Sequence, residues 1–121
     1  MNPDAIRKIL HGQSFWKNAE PMVWASAKLM TGALFEAGHR EVVIAAPLWL
    51  ARYRNQWKDS RWDRRAVLFT AEREVCHQRA NDAGRVDLLK IIDKMANQFE
   101  EPDPRREEFQ SVERVSLSDI L

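Results

Sequence analysis

The sequence predicts an α/β fold: a small, mainly parallel sheet of about three strands, packed in three layers with about five helices. Two continuous apolar runs, at 41–46 and 65–70, are typical of strands covered on both faces. Helical spacing of apolar residues precedes, separates and follows these runs, which implies crossover connections between parallel strands. The length of 121 residues fits one domain, so we expect a single domain over 1–121.

Two helices are predicted before the first strand. Asn2 is a suitable N-cap and Pro3 suits a first helical position, so a short helix should run to about Leu10 and end at Gly12. A longer helix should end at Gly38, where a left-handed cap is favoured. Its apolar face is formed by residues spaced three or four apart: Val23, Ala27, Met30, Leu34 and Ala37.

The remaining elements alternate in type. In chain order we predict a strand at 41–46, a helix at 47–57, a strand at 65–70, helices at 72–81 and 86–99, and a strand at 111–117. The last strand alternates apolar and polar residues, which is typical of a position near the edge of a sheet. Such a small sheet leaves an edge open, and open edges tend to acquire partners.

Composition excludes several classes of protein. The single cysteine rules out an internal disulfide framework and a cysteine-rich zinc site. The soft ligands Cys76, His11, His39 and His77 show no metal-binding spacing, so we expect no metal site. The apolar runs are too short to cross a membrane and the first residues do not form a signal region. We therefore expect a cytoplasmic protein with no membrane partner.

The net charge of +1 hides two oppositely charged segments. Residues 49–65 have a net charge of +4, and residues 100–121 have a net charge of −4. One interpretation is that the two segments pair, within one chain or between two. The other is that the basic segment binds nucleic acid, with cations on phosphates and aromatic rings on bases. The cations concerned are Arg52, Arg54, Lys58 and Arg61.

Several segments, taken in order, point to a family. They include Asn2 to Leu10, the helix end at 33–39, the strand at 65–70 followed by Glu74-Val75-Cys76 and Arg79, and Phe99-Glu100-Glu101-Pro102. This order resembles the small P-loop kinases of the polynucleotide-kinase type, which transfer the terminal phosphate of ATP to a hydroxyl. The resemblance extends over about the whole chain and implies a truncated form of that fold.

Two departures from the family bear on activity. The phosphate loop, G-x-x-x-x-G-K-[ST], is missing, because the chain begins where the family has completed its first strand, that loop and its first helix. The third strand of the family ends in Asp-x-Asn, whereas here it ends in Ala45-Ala46-Pro47. Together these departures predict a degenerate member that no longer transfers phosphate.

The resemblance also assigns roles to particular residues. Asp4 falls on the base that faces the substrate hydroxyl, and Arg7 falls on the arginine that contacts substrate phosphate. Arg79 and Arg85 lie near the position of the lid arginine. From the residues alone, Asp4 could equally favour the helix dipole and Arg7 could be a surface charge.

Three functions follow as expectations. The first is a non-catalytic binding module that acts as an oligomer, either as a homodimer or with a partner chain that completes the sheet, and that needs no cofactor. The alternative is an active phosphotransferase that uses Mg·ATP, with its phosphate loop supplied by another chain or by a missing N-terminus. The third is nucleic-acid binding without catalysis, which the net charge of +1 favours least.

Overall fold

The computed structural model describes residues 1–116 and contains both helices and strands, in agreement with the predicted class. Its chain divides into two compact units, Met1–Pro47 and Leu48–Leu121. The helices are α1 (Pro3–Leu10), α2 (Glu20–Glu36), α3 (Ala51–Asn55), α4 (Arg73–Asp82) and α5 (Leu89–Gln98), with 3₁₀ turns at Lys17–Ala19 and Val86–Leu88. The strands are β1 (Arg64–Thr70) and β2 (Phe109–Ser116). Within 1–116, no helix is both long and apolar enough to cross a membrane.

The ends of α1 and α2 confirm the predicted caps. The side chain of Asn2 accepts a hydrogen bond from the backbone N–H of Asp4 at 3.0 Å, so it caps the first turn of α1. Beyond the C-terminus of α2, Gly38 has a φ of 101°, which glycine adopts without strain. Its N–H donates to the carbonyl of Phe35 at 3.0 Å, and the N–H of His39 donates to the carbonyl of Leu34 at 3.1 Å, as in a Schellman motif.

The buried face of α2 differs partly from the predicted one. Val23 and Ala27 are buried as expected, and Thr31 extends the same face by another turn. The hydroxyl of Thr31 donates to the carbonyl of Ala27 at 2.9 Å, which satisfies it inside the core. Met30, which was predicted on this face, is 47% exposed. Apolar residues occur all round this helix, so the sequence alone could not identify which of them face the core.

The predicted strand at 41–46 is wrong. This segment has no regular structure, and Val43 is 69% exposed. Two backbone hydrogen bonds link it to the N-terminus of the chain. The amino group of Met1 donates to the carbonyl of Val43 at 2.5 Å, and the N–H of Ala45 donates to the carbonyl of Met1 at 2.9 Å. An apolar run becomes a strand only where another strand supplies a hydrogen-bonded ladder, and no strand in this unit provides one.

The second unit confirms most of the later elements. β1, α4, α5 and β2 lie within a few residues of the predicted positions, although residue 117 of the last predicted strand lies outside the described range. The helix predicted at 47–57 is shorter, since α3 covers only Ala51–Asn55 and Leu50 before it is extended, with φ −114° and ψ 144°. Residues 47–50 instead lead into α3 as non-helical chain.

β1 and β2 form a two-stranded parallel sheet. Arg64 pairs with Phe109 but Arg65 pairs with Ser111, so β2 carries an extra residue, Gln110, at its start. The prediction that β1 is covered on both faces is wrong, because burial alternates along it and Val67 and Phe69 are 53% and 60% exposed. One face of this sheet is therefore open.

Candidate functional site

A buried ion pair joins α3 to the turn that precedes β2. The Nε–H of Arg54 donates to Oε1 of Glu107 at 2.6 Å, and its Nη2 donates to Oε2 at 3.2 Å. The side chains of Arg54 and Glu107 are only 5% and 3% exposed. The remaining Nη1 donates to the carbonyl of Leu48 at 2.8 Å, and the N–H of Asp103 donates to Glu107 at 2.7 Å. Every polar atom of the pair thus has a partner, as a buried charge requires.

Two further cations bind the same turn. Arg64, at the start of β1, donates to the carbonyl of Arg54 at 2.8 Å and to the carbonyl of Glu107. Its guanidinium lies 4.4 Å from the ring centre of Phe109. Burial lowers the pKa of Arg64, and the nearby carboxylates of Glu107 and Glu108 oppose that effect. Lys58 donates to the carbonyl of Arg106 at 3.1 Å, so the basic and acidic segments do pair within one chain.

An open cleft of about 440 Å³ lies beside this network. It is lined by Lys58, Asp59, Ser60, Trp62, Asp63, Arg64 and Glu108. Glu108 has a φ of 60°, in the left-handed region that side chains rarely adopt. The pKa of Asp59 is lowered to about 2, mainly by hydrogen bonds from the guanidinium of Arg61 and to a smaller extent by one from its backbone N–H. The cleft therefore mixes both signs of charge and shows no preference for a ligand of one charge.

The cations predicted to bind nucleic acid all make contacts within the chain. Arg54 is buried against Glu107, so its guanidinium does not face solvent. Arg61 makes two side-chain bonds to Asp59, at 3.0 and 2.8 Å, and lies 5.0 Å from the ring centre of Trp62. Arg52 is exposed and stacks on the ring of the adjacent tyrosine at 5.0 Å. These contacts favour the structural interpretation of the basic segment.

Asp4 and Arg7 lie three residues apart on α1 and contact each other, together with a third residue. Arg7 donates to Asp4 at 2.5 Å and makes two bonds to Glu20, at 2.9 and 2.7 Å. Its guanidinium also lies 5.9 Å from the ring centre of Trp24. The bond to Glu20 is the main cause that raises the pKa of Arg7, and the bond to Asp4 adds to it. Since Glu20 begins α2, this cluster joins α1 to α2.

The two arginines predicted for the lid lie at and beyond the end of α4. Arg79 is exposed in its last turn, and Arg85 makes two bonds to Asp87, both at 3.0 Å. That pairing raises the pKa of Arg85 and lowers the pKa of Asp87. The side chain of Arg85 is therefore held by a residue two positions along the chain.

Sequence reasoning missed the polar contacts between α4 and α5. Nε2 of His77 lies 2.8 Å from Oδ1 of Asp93, and Arg73 donates to Asn97 at 2.5 Å. The signal was available, because 73 and 77 share one helix face and 93 and 97 share another, each pair being four residues apart. In residues 1–116, no group of three or more metal-binding side chains could hold an ion.

The exposed face of the sheet is the other surface that sequence reasoning missed. Residues paired across two parallel strands point to the same face, so three rungs share it. We call it the open sheet face; its residues are Arg65, Val67 and Phe69 of β1 and Ser111, Glu113 and Val115 of β2. All of these except the half-buried Val115 are exposed. The alternation was hidden because 65–70 is almost entirely apolar after its first residue.

No protein-family model matches the sequence, and neither the curated proteins nor the solved structures contain a significant match. The kinase resemblance therefore stays a prediction, and the case for function depends on the geometry of the chain itself.

Proposed function

We propose that the chain is a non-catalytic interaction module that acts as an oligomer and uses the open sheet face to contact another chain. The single observation that carries this proposal is the exposure of Val67 and Phe69, 53% and 60%, on a parallel sheet. Parallel sheets occur almost only with both faces covered. A surface that this type of sheet normally buries is therefore presented to solvent.

The small size of the sheet supports the proposal. An isolated pair of strands is only marginally stable in water, and additional strands or a covering layer are normally needed. β1 and β2 are the two strands of the described chain, and each has one neighbouring strand. A chain that docks on the open face would supply a missing layer, which would complete the three-layer arrangement proposed from the sequence.

The charged residues also favour binding over catalysis. Arg7 is held by Asp4 and Glu20, and Arg54 is held by Glu107 at 5% side-chain exposure. These residues stabilise contacts between elements and leave no uncommitted acid–base pair among them. The phosphotransferase alternative needs a phosphate loop from elsewhere, and no contact in residues 1–116 favours it. The proposed location is the cytoplasm, on the basis of the single cysteine.

A site-specific photocrosslinker tests the proposal directly. In cells that express the chain naturally, we expect a photoreactive residue at position 67 to give one discrete crosslinked species. We expect Phe69→Asp to abolish that species. The matched control is position 86, where Val86 is 64% exposed but lies off the sheet. The proposed function would be refuted if position 67 gave no more distinct a crosslinked species than position 86. It would also be refuted if the crosslinked species at position 67 persisted in Phe69→Asp.

A further inference from the structure

We infer that the connection between α1 and α2 binds the surface of an anionic lipid bilayer, with aromatic side chains inserted among the headgroups and lysines close to the lipid phosphates. The inference goes beyond the proposed function, because it concerns the first unit and a different kind of partner. Two observations carry it: a cluster of exposed apolar side chains at this connection, and the absence of any acid from residues 5–19. Contact with a bilayer surface needs no spanning helix, so the expectation of no membrane partner is revised here.

The exposed apolar side chains lie where α1 ends and α2 begins. Phe15 and Trp16 are adjacent in the connection and are 59% and 49% exposed. Exposed apolar residues also end α1 and begin α2. We call the whole cluster the apolar tip; its residues are Ile9, Leu10, Phe15, Trp16 and Met22. A cluster of this kind marks a contact site for a protein or a membrane, whereas single exposed apolar residues need no explanation.

Local contacts hold the connection in shape. Gly12 turns the chain at the end of α1, with a φ of 75° that glycine adopts without strain. The N–H of Gln13 donates to Nδ1 of His11 at 3.1 Å, and the His11 ring meets the Trp16 ring edge to face, with 5.8 Å between their centres. Trp16 is therefore positioned before it contacts a partner, which lowers the entropy cost of binding. Tryptophan is enriched at membrane surfaces, because its ring is apolar and its single N–H reaches the headgroups.

Charge selects an anionic bilayer as the partner. Lys8 and Lys17 are exposed on the two sides of the connection, and neither ammonium group has an ion-pair partner among residues 1–116. Arg7, the other cation of this segment, is already neutralised by Asp4 and Glu20. The uncompensated charges beside the apolar tip are therefore positive. Exposed aromatic and aliphatic side chains flanked by lysines are typical of segments that lie in the headgroup region of anionic membranes.

The number of cations sets the expected preference for anionic lipid. A lysine close to an anionic bilayer strengthens binding about fivefold, so two lysines should give a preference of about 25-fold over a neutral bilayer. Salt screens exposed charges, so affinity for anionic vesicles should fall as the ionic strength rises. Binding should be reversible, since a few inserted side chains bury far less apolar surface than a spanning helix does.

Sedimentation with lipid vesicles tests the inference. At low salt, the unaltered chain should bind vesicles of phosphatidylcholine and phosphatidylserine, and should bind vesicles of phosphatidylcholine alone at least about tenfold more weakly. Phe15→Ser and Lys17→Glu should each weaken binding to the anionic vesicles by at least about fivefold. The matched controls are Val86→Ser and Lys90→Glu, which remove an exposed apolar side chain and reverse an exposed lysine in the second unit. Both controls should leave binding unchanged.

Quenching by lipids with brominated acyl chains locates the inserted side chain. Tryptophan fluorescence of the bound chain should fall, and it should fall much less in Trp16→Phe, which keeps an apolar ring at that position. Far-ultraviolet circular dichroism should show that each variant is folded.

Four results would overturn the inference. The first is no binding to anionic vesicles at low salt, and the second is an equal loss of binding in Lys17→Glu and Lys90→Glu. The third is quenching that persists undiminished in Trp16→Phe. The fourth is a photoreactive residue at position 15 that captures a protein in place of lipid, which would identify the apolar tip as a protein-binding surface. None of these results bears on crosslinking at position 67, so the proposed function is tested separately.

Discussion

Removing the Glu107 carboxylate should destabilise the second unit severely. Glu107→Ala leaves the guanidinium of Arg54 buried, with the carbonyl of Leu48 as its one remaining acceptor in the network. It also removes the acceptor of the Asp103 N–H, which lies 2.7 Å from the carboxylate. We expect the free energy of unfolding to fall by about 3–5 kcal/mol, the range for a buried ion pair that loses one member.

The structure supports the upper part of that range. The side chains of Arg54 and Glu107 are 5% and 3% exposed, so water cannot readily solvate the abandoned charge. A domain is stabilised by only about 5–15 kcal/mol in total, so the loss would be a large fraction of the whole. Replacing both members by apolar residues, in Arg54→Met with Glu107→Leu, removes the uncompensated charge and should recover most of the stability.

Urea unfolding followed by tryptophan fluorescence is a suitable assay, because Trp57 is buried in this unit at 5% exposure. Glu101→Ala is the matched control, since Glu101 pairs with Arg114 at side-chain exposures of 60% and 51% and its loss should change stability little. If Glu107→Ala cost no more than Glu101→Ala, or if the double apolar variant were no more stable than Glu107→Ala, the role assigned to the pair would be wrong.

The same carboxylate predicts how stability depends on pH. Burial by itself raises the pKa of Glu107, but hydrogen bonds from Arg54 and from the Asp103 backbone N–H outweigh it, and the pKa is lowered from 4.5. A carboxyl whose pKa is lower in the folded state binds fewer protons there than in the unfolded state. Its contribution is therefore complete above pH 4.5 and is lost as the pH falls through the folded-state pKa. Acid unfolding of Glu107→Gln should lack this component.

Three further results are expected. Glu108→Gly should raise the urea midpoint, by a stability gain of up to about 1 kcal/mol, because glycine adopts the φ of 60° without strain; a lower midpoint would contradict this. The Asp59 carboxyl should titrate near pH 2 by NMR in the unaltered chain and return towards 3.8 in Arg61→Gln, whereas equal midpoints would show that Arg61 is not the cause. Millimolar Mg·ATP should leave the thermal midpoint unchanged. A rise of several degrees, which a ligand at about 100 times its dissociation constant produces, would instead support the kinase alternative. Loss of phosphoryl transfer in Asp4→Asn would then test the role of Asp4 as the base.

Local signals in the sequence were sufficient for most single elements. The Asn2-Pro3 start of α1 and the Gly38 end of α2 were predicted because each depends on backbone preferences of one or two residues. The order of β1, α4, α5 and β2 followed from apolar spacing. The candidate site was harder to predict, because the ion pair between Arg54 and Glu107 joins residues 53 positions apart. No spacing rule connects residues at such a separation.

The tertiary structure decided what these local segments contact. The run at 41–46 and the run at 65–70 are similar in composition, yet only the second found a partner strand, in β2, and became part of a sheet. The sequence by itself determined the class of fold, the start of α1, the end of α2 and the opposite charges of the two long segments. Only the tertiary structure decided that those charges meet in a buried pair and that one sheet face stays exposed, because strand pairing and burial depend on contacts between distant parts of the chain.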